Sequence, residues 1–179
     1  GAGGSVESTV ILVPTKGRPH HLQRCLRSIE ECTPNPRIVV IDQDPDAGAE
    51  RLCQGFAGLA LDYLHHPAGG KSAALNAGIR ASGSTFIAFT DDDCRPASDW
   101  LSAIAAALAR DPEALCGGTT TNALEHSACS VASHAIVDVA IEHLHAGGDD
   151  LRFFPSNNLA LRADAFASIG GFDAAFRTA

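Results

Sequence analysis

Three stretches of this 179-residue chain leave little choice of fold: residues 9–13 (TVILV), 37–41 (RIVVI) and 85–89 (TFIAF) are apolar almost throughout. A strand that alternates apolar and polar residues buries one face and wets the other. A continuous run of β-branched and aromatic residues must be covered on both. The segments between these runs supply the covers. In residues 20–31, Leu22, Cys25, Leu26 and Ile29 recur at the three-and-four spacing of a helix face, and Pro34 and Pro36 stop the pattern. A weak helix over 49–56, a short strand over 60–64, a turn over 67–70 and a helix over 71–81 follow. Alternation of this kind predicts the α/β class: a Rossmann-like, mostly parallel sheet flanked by helices on both faces.

The second half is less regular. Ser98 is placed to cap a helix whose buried face is Leu101, Ile104, Ala105 and Leu108, ended by Asp111-Pro112. A strand is expected over 115–120, and a helix over 127–144 with Val131, Ala135, Ile136 and Val139 along it. Residues 151–161 read as a strand bent at Pro155, and 163–169 as a short helix closed by Gly170-Gly171. With no internal repeat and no linker, residues 9–179 read as one domain behind a flexible lead-in, 1–8.

Charge removes several function classes. Lys and Arg total 13 against 21 Asp and Glu, a net charge of −8. Such a chain has no general electrostatic grip on nucleic acid phosphates. No apolar run approaches the roughly 20 residues needed to span a bilayer. The six cysteines contain no C-x-x-C pair, which argues against a zinc ribbon. With no signal peptide visible, the expected location is the reducing cytoplasm, and peripheral contact with the inner membrane face stays open.

In parallel sheets, ligands bind beyond the carboxyl ends of the strands. The first run is followed by Pro14-Thr15-Lys16-Gly17-Arg18, the second by Asp42-Gln43-Asp44, and the TFIAF run by Asp91-Asp92-Asp93. Adjacent carboxylates repel, and a divalent cation relieves that repulsion. On an extended segment Asp91 and Asp93 would point the same way, offering oxygen ligands suited to magnesium or manganese. Asp42, Asp44 and Asp46 imitate a calcium loop, but Ala47 and Cys53 stand where Gly and Glu are required. Asp42 is left to hydrogen-bond a ligand or a turn. Gly69-Gly70-Lys71-Ser72 resembles the tail of a phosphate loop whose opening Gly is replaced by His65, so only a helix start with a lysine remains. The adjacent pairs His20-His21 and His65-His66 diverge, and His143 and His145 fall on different helix faces. Neither arrangement chelates. Asn157-Asn158 offers amides suited to sugar hydroxyls, and neither a G-x-S-x-G elbow nor a G-x-G-x-x-G loop is present.

In this order, the segments VILVPT with Arg18, VVID ending at Asp42, GKSAALNAG from Gly70, IAFTDDD ending at Asp93, and SNNLALR leading to Gly170-Gly171-Phe172-Asp173 resemble glycosyltransferase family 2 proteins of the GT-A fold. The resemblance implies transfer of a sugar from a UDP- or GDP-linked donor to an acceptor hydroxyl of a saccharide, lipid-linked or small-molecule acceptor, with a divalent metal and with inversion. It implies that Pro14, Thr15, Arg18 and Lys71 line the nucleotide pocket, Asp42 takes the base, and Asp91 approaches the ribose. Asp93 would hold Mn2+ or Mg2+ on the diphosphate, and Asn157 and Asn158 would border the donor sugar or acceptor. Residues 9–95 then form the nucleotide-binding half and 96–179 an incomplete acceptor-side half. The family's acidic catalytic base is expected beyond Ala179. The alternatives are a nucleotide-sugar-binding domain without its base and a sugar nucleotidyltransferase. The latter expects G-x-G-x-R where this chain has Pro14-Thr15-Lys16-Gly17-Arg18.

Overall fold

The computed structural model describes residues 9–32, 36–146 and 154–176. The lead-in, Pro34, residues 151–153 of the expected bent strand and the last three residues lie outside the described residues. The strands are β1 (Thr9–Thr15), β2 (Arg37–Asp42), β3 (Ala60–His65), β4 (Phe86–Phe89), β5 (Cys116–Gly117) and β6 (Leu159–Arg162). The helices are α1 (Pro19–Glu30), α2 (Glu50–Gln54), α3 (Gly70–Ser82), α4 (Trp100–Arg110), α5 (Ala128–Ala146) and α6 (Ala163–Ser168).

The six strands form one sheet in the order β3-β2-β1-β4-β6-β5. β1 pairs in parallel with β2 and β4, and β2 with β3, while β6 runs antiparallel to both β4 and β5. The apolar runs are covered on both faces, as their composition requires. Ile11, Val13, Ile38, Val40, Phe86 and Ala88 face one core with α1, α2 and α4. Val10, Leu12, Val39, Ile41, Ile87 and Phe89 face the other with α3 and α6. Gly78 lets α3 lie close to the sheet: a Cβ there would sit 2.8 Å from Ile41 Cδ1. Asn76 ties α3 to the turn after α6, its Nδ2 donating to the Phe172 carbonyl at 2.8 Å and its Oδ1 accepting the Phe172 N–H at 3.0 Å. The rings of Phe89, Phe166 and Phe172 close this corner, with Phe166 and Phe172 edge-on at 4.8 Å.

Several local expectations are corrected. Ser98 does not cap α4. A turn from Ala97 to Trp100 carries the chain in, so the cap position falls on Asp99, which makes no side-chain cap bond. Leu101, Ile104 and Leu108 are buried as expected, but Ala105 is only partly so. The strand expected over 115–120 shrinks to β5, and in the described part of 151–161 only β6 is strand, preceded by a turn from Pro155 to Asn158. The helix over 127–144 forms, yet its apolar residues are not core: Val131, Ile136 and Val139 are 46%, 70% and 65% exposed, and Ala135 is exposed too. Helical spacing was read correctly there, but no described element lies over that face. Among the described residues no helix is long and apolar enough to cross a membrane, and all six cysteines are free.

Candidate functional site

The strand order reverses direction at β1, with β2 on one side and β4 on the other, so a crevice opens beyond the carboxyl ends of β1 and β4. Buried Thr90 still bonds the Leu12 carbonyl, and the chain then turns, with Cys94 N–H on the Asp91 carbonyl at 3.0 Å. The three aspartates therefore lie in a turn, not on an extended segment, and their carboxylates go to three different places. Asp91 is held by Lys71 Nζ at 2.6 and 2.8 Å. Asp92 is fully buried. It accepts the Thr15 hydroxyl at 2.7 Å and is paired by Arg18 through Nη2 at 2.5 Å and Nε at 3.2 Å. Burial pushes the Asp92 carboxyl above its ordinary pKa, with the Thr15 bond and Arg18 pulling it back. Among the described residues Asp93, its side chain 46% exposed, meets only Arg18 Nη1 at 3.2 Å and the Cys94 thiol at 3.8 Å.

Asp42 sits one strand over, paired in register with Thr15. Its buried carboxylate accepts the backbone N–H groups of Asp44 and Ala49, each at 2.9 Å, and the Tyr63 hydroxyl at 2.8 Å. Of those bonds, the one from Tyr63 raises that residue's own pKa, after burial itself. Together the bonds fold residues 43–49 into the wall of a small pocket, about 130 Å3, shared by Thr15, Gly17, Arg18, Asp42 and Asp44. Lys71 enters from the first turn of α3. Gly69 and Gly70 precede it at φ 90° and 77°, and a Cβ on Gly69 would lie 2.6 Å from that of Ala73. Only glycine makes that entry cheaply.

On the other side of Asp93 lies a cleft of about 700 Å3, bordered by Cys94, Trp100, Thr119 to Thr121, Asn157 and Asn158. Asn158 is a brace: its Oδ1 accepts Trp100 Nε1 at 2.9 Å and its Nδ2 donates to the Thr119 carbonyl at 3.2 Å. Asn157 Oδ1 is buried with no hydrogen-bond partner among the described residues. Of the residues singled out from sequence, Thr15, Arg18, Lys71, Asp91 and Asp93 converge, with Asp42 adjoining them and the asparagines across the cleft. Pro14 lies inside β1 opposite Ile41 with no side-chain tie to that group, and Pro14, Lys71 and Asp91 border neither cavity. Sequence reasoning missed the clamp role of Asp92 and the parts played by Asn76, Tyr63 and Trp100. Trp100 had one available signal, as the single tryptophan just after a loop leaving the sheet edge.

The donor set suits a hard cation held jointly with a ligand. Two of the three carboxylates are tied down, and Asp93 alone presents lightly held oxygens to the cleft. Among the described residues no group of three or more His, Cys, Asp or Glu could hold an ion by itself. One carboxylate plus phosphate oxygens and water is a usual magnesium-type arrangement.

The model for glycosyl transferase family 2 matches residues 10–170. The chain is 26% identical over 177 residues to the pre-mycofactocin glycosyltransferase of Mycobacterium tuberculosis, covering 96% of this chain and 37% of that protein. It is 29% identical over 98 residues to the glycosyltransferase AglE of Haloferax volcanii, covering 51% and 32% of the two chains. The fold matches the Pyrobaculum calidifontis mannosyltransferase PcManGT, solved in complex with GDP-Man and Mn2+. The TM-score is 0.70 at 20% identity, covering 93% of this chain and 48% of that one. It also matches S. aureus TarS 1-349 in complex with UDP-GlcNAc, at a TM-score of 0.64 and 14% identity, covering 92% and 48%. The chain thus spans between about a third and a half of the length of these relatives.

Proposed function

The chain belongs to glycosyltransferase family 2, and from that premise we propose that it transfers a hexose from a UDP- or GDP-linked donor to an acceptor hydroxyl, with inversion and with Mn2+ or Mg2+. The observation that carries the reading is Asp93, the one lightly held carboxylate of the triple aspartate, bordering the large cleft and joined by Arg18 to the small pocket. The small pocket, of about 130 Å3, suits the planar base. There Asp42 shapes the wall and takes the base, while Thr15 and Arg18 line the entrance and Pro14 sets the strand end behind it.

Asp91 meets the ribose, and Lys71 neutralises Asp91 until the donor arrives. Asp93 is the protein ligand of the cation, which when bound stabilises the leaving nucleoside diphosphate as a Lewis acid. Arg18 bridges Asp92 and Asp93 and so lies within reach of the same diphosphate. Asn157, with its unpartnered Oδ1, and Asn158 border the donor sugar or acceptor. Residues 9–95 are then the nucleotide-binding half and the residues after them the acceptor side. Deprotonation of the acceptor hydroxyl is assigned to no described residue. Six free thiols support a reducing cytoplasmic setting.

Isothermal titration with UDP and with GDP, each with and without Mn2+, tests the donor side. One nucleotide is expected to bind, and more tightly with the metal. Absence of binding in all four titrations would overturn the reading. NMR of the product anomer tests inversion.

A further inference from the structure

We propose that the large cleft takes an acceptor bearing an anionic group, a phosphate or a carboxylate, held by Arg24 and Arg95. This rests on the glycosyl-transfer reading and deepens it by naming the acceptor's charge. The wall of the cleft reverses the sign of the protein. The chain has 21 acidic residues against 13 basic, yet Asp93 is the one carboxylate bordering the cleft among the described residues, beside Arg24, Arg95, His21 and His134.

Three other basic groups around the crevice are already paired. Arg18 is on Asp92 and Asp93, and Lys71 is on Asp91. His134 faces Asp138 at 3.6 Å. Neither Arg24 nor Arg95 has an ion pair or a side-chain hydrogen bond among the described residues.

Their positions separate them from the donor's own charge. His21 and Arg24 stand one turn apart on the exposed face of α1, and Arg95 follows the aspartate turn, so two elements bring the guanidinium groups to one cavity. Neither borders the small pocket. A donor diphosphate would find a cation on Asp93, with Arg18 and Lys71 beside it. That leaves two planar, five-donor groups facing a cleft also lined by threonine hydroxyls and the Trp100 ring. Guanidinium is the side chain best matched to phosphate or carboxylate oxygens. A volume of about 700 Å3 exceeds what one hexose fills, leaving room for an acceptor's charged substituent.

Trp100 is the single tryptophan and borders the cleft, so its fluorescence reports occupancy directly. The protein, with and without saturating UDP–Mn2+ and GDP–Mn2+, is titrated with glucose 1-phosphate, glucuronate and the neutral methyl glucoside. The proposal expects at least one anionic probe to bind about tenfold or more tighter than the glucoside. Arg24→Ala with Arg95→Ala should abolish that preference, and the paired lysine variants should retain part of it. Arg110→Ala, at the far end of α4, should change nothing. Whichever probe binds identifies phosphate or carboxylate as the group.

Equal affinity for all three probes overturns the proposal, and so does an anionic preference that survives loss of both arginines. Competition between the anionic probe and the nucleotide also overturns it, by assigning the arginines to the donor diphosphate. If neither nucleotide binds, the donor reading fails on its own, while the probe titrations still decide the anion site.

Discussion

Three adjacent aspartates should repel one another, and the chain settles the conflict by placing a cation beside each. Lys71 takes Asp91, Thr15 and Arg18 take Asp92, and Asp93 is shared between Arg18 and solvent. The consequences of removing them differ accordingly. Asp93→Ala is expected to abolish Mn2+-dependent donor binding in titration calorimetry while leaving the circular dichroism spectrum unchanged and the unfolding midpoint nearly so, because the one ion pair its carboxylate makes, to Arg18, is half exposed. Thr15→Val strips a hydrogen bond from a fully buried carboxylate. It should lower unfolding free energy by about 1–3 kcal/mol in urea titration. The motif was legible from its place after TFIAF, but not its division of labour. That depends on Arg18 and Lys71, which stand 74 and 20 residues away from their partners in sequence.

At the scale of elements, two contacts fix where α3 lies, and with it the position of Lys71. Gly78 permits the approach to Ile41, and Asn76 grips the Phe172 backbone. Gly78→Ala gains about 1 kcal/mol of helix propensity. It also forces a methyl group against Ile41, at 2.8–2.9 Å. Overpacking of that kind costs about 1–3 kcal/mol, so a net loss of stability is expected in chemical denaturation. Asn76→Asp keeps the acceptor but turns a carboxylate oxygen toward the Phe172 carbonyl, and should destabilise more than Asn76→Ala. The sequence periodicity that located α1 and α4 located α5 equally well but misjudged its surroundings. Spacing reports that a face is apolar, and not whether another element lies upon it.

For the molecule as a whole, buried thiols tie stability to alkaline pH. Burial pushes Cys53 up to about 12 from an ordinary 9.0, and Cys25 is raised for the same reason. A raised folded value means the unfolded chain releases the proton first. The stabilisation is therefore complete below pH 9 and is lost as pH rises toward the folded value. Urea midpoints should fall above pH 9, and less steeply in Cys53→Ala. At neutral pH, alkylation followed by mass spectrometry should label exposed Cys129 and spare Cys25 and Cys53. The exposed α5 is the other whole-molecule feature: this polypeptide on its own should self-associate in light scattering. Ile136→Lys with Val139→Lys should suppress that association without shifting the unfolding midpoint, since both side chains are largely exposed.

Local chemistry was enough to specify the layered sheet, its helices and the edge at which polar groups gather. Apolar runs demand cover on both faces, and strand ends follow directly from where those runs stop. Folding alone decided the antiparallel placement of β6, the burial of Asp92, the brace between Trp100 and Asn158, and the meeting of Arg24 with Arg95 across one cleft. Each of these joins groups distant in the chain. Such pairings depend on strand order and helix packing, which residue spacing does not encode.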